Sequence, residues 1–304
     1  MFLTYLPVTF RLRFADSVDA DTYPLFVLRS MMGKELRSMC CVSHTSACPE
    51  CMYNRTCAYS FLFETILPQD NAVVPGRNRA SHPFAFTRST HTAGRSLQDY
   101  EFTMTLFGKA QDYLPYIYAA FVRAGKNGLF RSRTPFELLE VIVEGRNILI
   151  DGEHLDTNLP PKSFEINGTG ESRTGEVLVE LKSPLRFKAG GRYTADFSAR
   201  DFMGCLYRRA ATLCQLYGSC DGEARYFPDE SLVITERNLR WTDSTHYSAR
   251  QKRTMELGGV TGTFKLAGHF SCMDAGLLDF ARIANAGKNT NFGLGQLDFW
   301  ARWE

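Results

Sequence analysis

No uninterrupted apolar run in this 304-residue chain reaches the ~18 residues that a membrane helix needs. An excess of one charge is lacking too: 35 Lys and Arg stand against 33 Asp and Glu, a net charge of +2. Bulk charge therefore selects no polyanionic partner, and any basic surface has to come from segregation of cations by the fold. The 24 Gly and 12 Pro are ordinary for the length, which removes the collagen and low-complexity classes. No Gly-x-x-x-x-Gly-Lys-Ser/Thr loop, HExxH helix, serine-hydrolase elbow or paired-carboxylate constellation is present. The acidic residues are dispersed, which argues against metal-dependent nuclease and glycosidase chemistry. Met1 to Phe14 alternates and carries Arg11 and Arg13, so it reads as a strand and not as a signal peptide. A cytoplasmic protein is expected.

What the chain does hold is ordinary globular composition, 44% hydrophobic and 22% charged, in a length that suits two domains or one large one. Residues 8–14 alternate at period two. Leu25, Phe26, Leu28, Met32 and Leu36 mark a helical face that starts near Pro24, with Asp21 or Thr22 as its cap. Strands are expected at Tyr59–Leu67, Phe84–Phe86, Tyr100–Leu106 and Phe136–Val143, and a second helix at Gln111–Arg123. Residues 152–175 are polar and broken by Pro and Gly, and read as a linker between an N-terminal domain, 1–151, and a C-terminal domain, 176–304. The pattern then restarts. Strands at Glu176–Leu181, Leu232–Trp241, Val260–Gly268 and Phe292–Trp300 accompany helices at Phe197–Tyr217 and Leu277–Ala284. Ala124-Gly125-Lys126-Asn127 with Phe130 reappears as Ala286-Gly287-Lys288-Asn289 with Phe292, each time between the second helix and the last strand. Strand–helix–strand–strand–helix–strand, taken twice, gives an α+β fold of two tandem ferredoxin-like (RRM-like) domains.

Three features carry candidate chemistry. In Gly287-Lys-Asn-Thr-Asn-Phe-Gly293-Leu-Gly295, glycines permit positive φ, and successive backbone N–H groups with Lys288 suit an anion. The segment follows a helix and opens a strand, so it is no dinucleotide fingerprint; a helix cap with a tight turn is the plainer account of it. Five of nine cysteines fall between Cys40 and Cys57. Their odd number and the lack of a signal-peptide pattern argue against disulfides. Cys48 and Cys51 form a Cys-x-x-Cys half-site that Cys57 and Cys40 or Cys41 would complete for a structural zinc; Cys41, Cys48, Cys51 and Cys57 are the set adopted here. His44 competes as a ligand, an iron–sulfur cluster uses the same residue type, and buried free thiols are the simplest alternative. His44 itself, in the loop after the first helix, has the side chain suited to general acid or base work near neutral pH.

The C-terminal half holds Leu181-Lys-Ser-Pro-Leu-Arg-Phe-Lys, Arg208-Arg209 on a long helix, Trp241-x5-Tyr247-Ser, Gly258-Gly-Val-x-Gly262, Gly268 and the glycine segment. The N-terminal half holds Cys48-x2-Cys51-x5-Cys57-x-Tyr59-x3-Phe63-Glu64, Leu106-x-Gly108, Leu114-Pro115-Tyr116 and Gly125-x2-Gly128. In this order the chain resembles, over nearly its whole length, the CRISPR-associated endoribonucleases that process precursor RNA, within the repeat-associated mysterious protein superfamily. The cysteines match a cysteine-bearing subgroup. The resemblance implies two ferredoxin-like domains facing a basic cleft and binding of CRISPR repeat RNA, as precursor and as mature guide RNA. It also implies cleavage with no catalytic cofactor: the 2′-hydroxyl attacks the adjacent phosphate, leaving a 2′,3′-cyclic phosphate and a 5′-hydroxyl. His44 matches the place of a catalytic histidine, with Tyr23 and Lys34 as helpers. Lys288 and Asn289, on the turn of Gly287, Gly293 and Gly295, are the first expected RNA contacts. Arg250, Lys252 and Arg253 in the second domain, and Lys126, Arg131 and Arg133 in the first, are the others. The same fold also serves a non-catalytic subunit that holds a guide-RNA end among the other subunits of a CRISPR effector complex.

Overall fold

The computed structural model describes residues 1–19, 24–44, 47–67, 79–88, 96–166, 170–220, 226–243, 245–248 and 253–304. The chain forms two compact units, one of Thr4–Lys162 and one of Ser163–Glu304 joined by Met1–Leu3.

The first unit runs β1 (Phe2–Asp19), α1 (Pro24–Cys40), β2 (Phe84–Arg88), β3 (Ser96–Phe107), α2 (Leu114–Asn127) and β4 (Phe136–Val143). Its sheet has the order β2-β3-β1-β4, with antiparallel pairs throughout, and β5 (Arg146–Asn147) extends it beyond β4. That order is the ferredoxin-like one. Period-two alternation sends Leu6, Val8, Phe10, Leu12 and Phe14 of β1 inward. There Phe10 stacks on Phe102 of β3 at 5.3 Å and meets Phe121 of α2 at 5.2 Å. Each such buried ring contributes roughly 1.5–3 kcal/mol. The outward residues Arg11 and Arg13 pair across the strands with Glu101, Glu140 and Asp99, contacts that fix register more than they stabilise.

Two further short strands, β6 (Leu149–Ile150) and β7 (His154–Leu155), make a hairpin, and β8 (Lys162–Glu165) pairs with β1. The segment 152–175, which reads as a linker, thus carries β7, β8 and the first residues of β9, and the division between the units falls inside it.

The second unit runs β9 (Arg173–Leu185), β10 (Lys188–Ala189), β11 (Arg192–Tyr193), α3 (Ala199–Tyr217), β12 (Val233–Thr242), β13 (Thr245–Ser248), β14 (Arg253–Glu256), β15 (Gly259–Phe270), α4 (Cys272–Ala284) and β16 (Leu297–Trp303). The sheet order β12-β15-β9-β16 repeats the first unit's topology. Val177, Val179 and Leu181 of β9 face a core built with Phe202 and Leu206 of α3 and Leu277 and Phe280 of α4. Both helices start at a serine capping box, Ser198 with Asp201 and Ser271 with Asp274. Such a box satisfies two N–H groups that a helix end leaves bare.

Two expectations fail locally. Tyr59–Leu67 is no strand: Ser60–Glu64 forms a single π-helical turn, with Leu62, Phe63 and Glu64 buried. Glu64 accepts a hydrogen bond from the Tyr59 hydroxyl at 3.2 Å and pairs with Arg79 at 2.8 Å; a short apolar run does not reveal such partners. The second helix begins three residues later than its pattern suggests, after a 3-10 segment at Gly108–Tyr113. The cap expected at Asp21 or Thr22 lies outside the described residues. Among the described residues no helix is long and apolar enough to cross a membrane.

Candidate nucleic-acid interface

The glycine-rich segment is a rigid turn docked on the end of β9. After α4 the chain reaches φ 56° at Asn285, 76° at Gly287, 62° at Asn289, 83° at Gly293 and 74° at Gly295. Its contacts demand glycine at two of these positions. A Cβ on Gly287 would stand 2.5 Å from the Arg186 carbonyl oxygen, and one on Gly295 1.8 Å from that of Ala286. The backbone N–H groups of the turn are mostly engaged: Ala286 donates to Gly295, Lys288 to Arg186, Gly295 to Pro184, and Phe292 and Gly293 to Asn289 and Thr290. The Gly287 N–H faces the Cys205 sulfur. The Lys288 and Gly295 N–H groups thus hold the turn against Arg186 and Pro184 and are not free to cradle an anion. The turn works as a mount for the exposed Lys288 side chain.

Arg209 braces this mount from beneath. It lies buried on α3 and donates through Nη2 to the Ala284 carbonyl at 3.2 Å and to Thr290 Oγ1 at 2.8 Å. Burial lowers its pKa to about 10, so it remains a cation at neutral pH. Beside it, burial pushes the Cys205 thiol up to about 11 against the pull of Arg208, the Gly287 N–H, Arg209 and Lys288. Arg208-Arg209 was legible as a cationic pair, but not that the second of the two is internal.

Three further groups gather next to Lys288. The Arg186 guanidinium stacks on the Tyr193 ring at 3.9 Å and donates to the Gly258 carbonyl at 2.6 Å; the Lys188 and Lys288 ammonium groups lie 5.4 and 5.7 Å from the same ring centroid. Arg186, Lys188 and Tyr193 were not among the expected contacts. Their signal was the spacing Lys182, Arg186, Lys188 ahead of Gly190-Gly191, a cationic strand end entering a hairpin. Arg250 and Lys252 lie outside the described residues, as does the side chain of Arg253, whose backbone opens β14.

In the first unit Lys126, Arg131 and Arg133 are exposed at one end, on the last turn of α2 and the loop closed by the Leu129–Thr134 bridge. Here Gly125 is helical, unlike its counterpart Gly287, yet it too is pressed against a carbonyl: a Cβ would stand 2.2 Å from the oxygen of Phe136. Asn127, the counterpart of Asn289, is held by buried Glu35 at 2.9 Å.

His44 is exposed at φ 49°, in the loop after α1. Lys34 is exposed on α1, and Tyr23 lies outside the described residues. Among the described residues no hydrogen bond joins His44 to Lys34. Among the described residues the half-buried histidine is His82, 3.0 Å from Arg29 and edged by the rings of Phe63 and Phe84.

The structural zinc expected on Cys41, Cys48, Cys51 and Cys57 is not supported. Among the described residues no three His, Cys, Asp or Glu side chains converge as a metal site requires. Cys40, Cys48 and Cys57 instead pack against the edge of the first unit's core. Desolvation, reinforced by nearby Cys57 at Cys40 and by Glu64 at Cys48, raises both thiols above their usual range. They behave as small apolar side chains, a role their spacing alone does not distinguish from ligation.

Residues 3–160 match a family model described as the AF_1859_N N-terminal domain, and residues 179–297 match that of the CRISPR-associated endoribonuclease Cas6. Among solved structures, the Cas6 (TTHB231) product complex is 18% identical, with TM-score 0.56 over 97% of this chain and 100% of that one. Thermus thermophilus Cas6 (TTHB231) gives 16%, 0.53 and coverages of 98% and 99%. A Cas6 (TTHA0078) product complex gives 15% and 0.51 over 100% of both chains. No curated protein matches the sequence.

Proposed function

Because the chain belongs to the CRISPR-associated Cas6 endoribonuclease family, we propose that it binds the repeat of a CRISPR precursor transcript and cleaves it to mature guide RNA. The reaction needs no metal. As the 2′-oxygen bonds to the adjacent phosphorus, the bond to the 5′-oxygen breaks. A base takes the 2′ proton, an acid supplies one to the leaving oxygen, and cations stabilise the charge on the phosphate. His44 is the proposed acid or base, with Lys34 and Tyr23 assisting. Lys288 and Asn289 on the glycine turn, Arg250, Lys252 and Arg253, and Lys126, Arg131 and Arg133 are the proposed RNA contacts. RNA is read mainly through phosphates, shape and 2′-hydroxyls, which suits clustered cations.

The observation that carries this reading is the Cas6 match over residues 179–297, a stretch that holds the rigid, cation-bearing turn. The test is cleavage of the cognate repeat RNA in EDTA by wild type and His44→Ala. Loss of cutting with retained binding supports the enzyme and the role of His44. Unchanged cutting removes His44 from the mechanism.

One observation favours a second reading. An effective general base is oriented by a neighbour, and His44 has none among the described residues. A non-catalytic subunit that holds a guide-RNA end in an effector complex has no need of one. Binding without any cutting by wild type would decide for it.

A further inference from the structure

The β10–β11 hairpin gathers three cations around one aromatic ring. Arg186, Lys188 and Lys288 approach one ring, that of Tyr193, within 3.9, 5.4 and 5.7 Å. Among the described residues none of the three cations forms an ion pair. Gathering like charges without a carboxylate is unfavourable until a polyanion arrives. Tyr193 is still 38% exposed. It is also held in place. The Gly258 carbonyl fixes Arg186, Arg186 lies against the ring, and the Lys288 N–H donates to the Arg186 carbonyl at 2.8 Å. A positioned aromatic surface asks for a planar group, and the cations beside it ask for phosphate.

We propose that Tyr193 is a stacking platform for an unpaired base of bound RNA, with Lys188 and Lys288 against the phosphates on either side of it. This rests on the RNA-binding reading above. It adds that the hairpin takes a single-stranded nucleotide, because a base inside a duplex has both faces covered. Stacking on an aromatic side chain tolerates any base, so the site recognises the state of the strand more than its sequence.

The test uses the full chain in EDTA with two probes, fluorescent oligouridine and a blunt-ended RNA duplex, each titrated at two salt concentrations. Tyr193→Ala is expected to weaken oligouridine binding by about 5- to 100-fold and to leave duplex binding, the salt slope and the thermal midpoint unchanged. Tyr193→Phe, which keeps the π-face, binds oligouridine as wild type does. Lys188→Gln lowers the salt slope for oligouridine by about 0.7. The proposal is overturned if wild type binds oligouridine and Tyr193→Ala binds it equally well, or if Tyr193→Ala weakens both probes alike. Wild type that binds neither RNA at low salt overturns the underlying RNA-binding reading instead.

Discussion

Replacing Arg209 by methionine removes a buried cation while keeping most of its length. Two donated hydrogen bonds disappear, to the Ala284 carbonyl and to Thr290 Oγ1. At roughly 1.5–3 kcal/mol for each bond to a charged group, their loss costs about 3–6 kcal/mol. Part of this returns, because the charge was unfavourable where it sat. The lowering of its pKa by burial to about 10 corresponds to about 3 kcal/mol of penalty. The net expectation is a destabilisation centred on about 1.5 kcal/mol, or roughly 3–6 °C in the thermal midpoint of the second unit. RNA affinity should fall as well, since the turn that mounts Lys288 loses its brace. The salt slope should not change, because the buried guanidinium touches no phosphate; Lys288→Gln should lower it by about 0.7. Calorimetry and binding titrations at two salt concentrations measure both effects. An Arg209→Met protein with wild-type midpoint and affinity would refute the claim that this residue holds the turn, and a reduced salt slope would place Arg209 on the RNA instead.

Gly295→Ala, with its Cβ 1.8 Å from the Ala286 oxygen, should cost at least ~3 kcal/mol in urea melts. Gly145→Ala, at φ 78° in open space, should cost only the ~1–2 kcal/mol of the backbone conformation; equal costs would show that the turn yields. The Cys205 thiol is raised on folding from 9.0 to about 11. Its stabilising contribution is therefore complete below pH ~9 and is lost as the pH climbs through 11, by about 3 kcal/mol in all. Cys205→Ala should show a shallower decline of the urea midpoint between pH 8.5 and 10.5, and parallel profiles would count against it. Glu35 is buried between Arg123 at 3.1 Å and Asn127 at 2.9 Å. Arg123→Ala should destabilise by about 3–5 kcal/mol, more than Glu35→Ala, because it leaves the buried Glu35 carboxylate without its counter-charge while Arg123 and Asn127 can turn to water. The reverse order in chemical denaturation would contradict this.

The order of elements was legible because both halves alternate strongly where strands face a core. Phe10, Phe102 and Val179 occupy the positions that period two assigns them, and the two sheets close with the same topology. Tyr59–Leu67 misled because its apolar side chains reach the same core from a π turn, whose Glu64 is held by Arg79, a residue outside the run. The cysteines misled for a related reason. A Cys-x-x-Cys pair specifies proximity of thiols, and proximity also arises where thiols cap the edge of an apolar core. The exposed place of Lys288 on a glycine turn was legible from the sequence. Tyr193 and Arg186 were not, since they reach Lys288 only through the β10–β11 hairpin and the docking of the turn on β9.

The repeated Ala-Gly-Lys-Asn peptide shows what a short identical sequence determines and what it leaves to its surroundings. In the first unit the helix continues through all four residues and ends at Gly128. In the second it ends at Ala284, so the same four residues lie in a turn with positive φ at Gly287 and Asn289. Propensity is identical in the two copies, so the difference comes from outside the peptide. Buried Glu35 draws Asn127 onto the helix in one case. In the other, Arg209 takes the Ala284 carbonyl and Thr290, drawing the chain away from the helix axis. Both copies nevertheless require glycine against a carbonyl of the neighbouring chain, Phe136 or Arg186. Close approach of backbones is therefore what the shared glycine serves, and the conformation follows from the partner. Exchanging the partners should move the conformation with them: removing Arg209 should loosen the second copy and leave the first unit's hydrogen-exchange protection at Lys126 and Asn127 unchanged. Loss of protection in both copies would mean that the peptide's own preference, and not its neighbours, sets the turn.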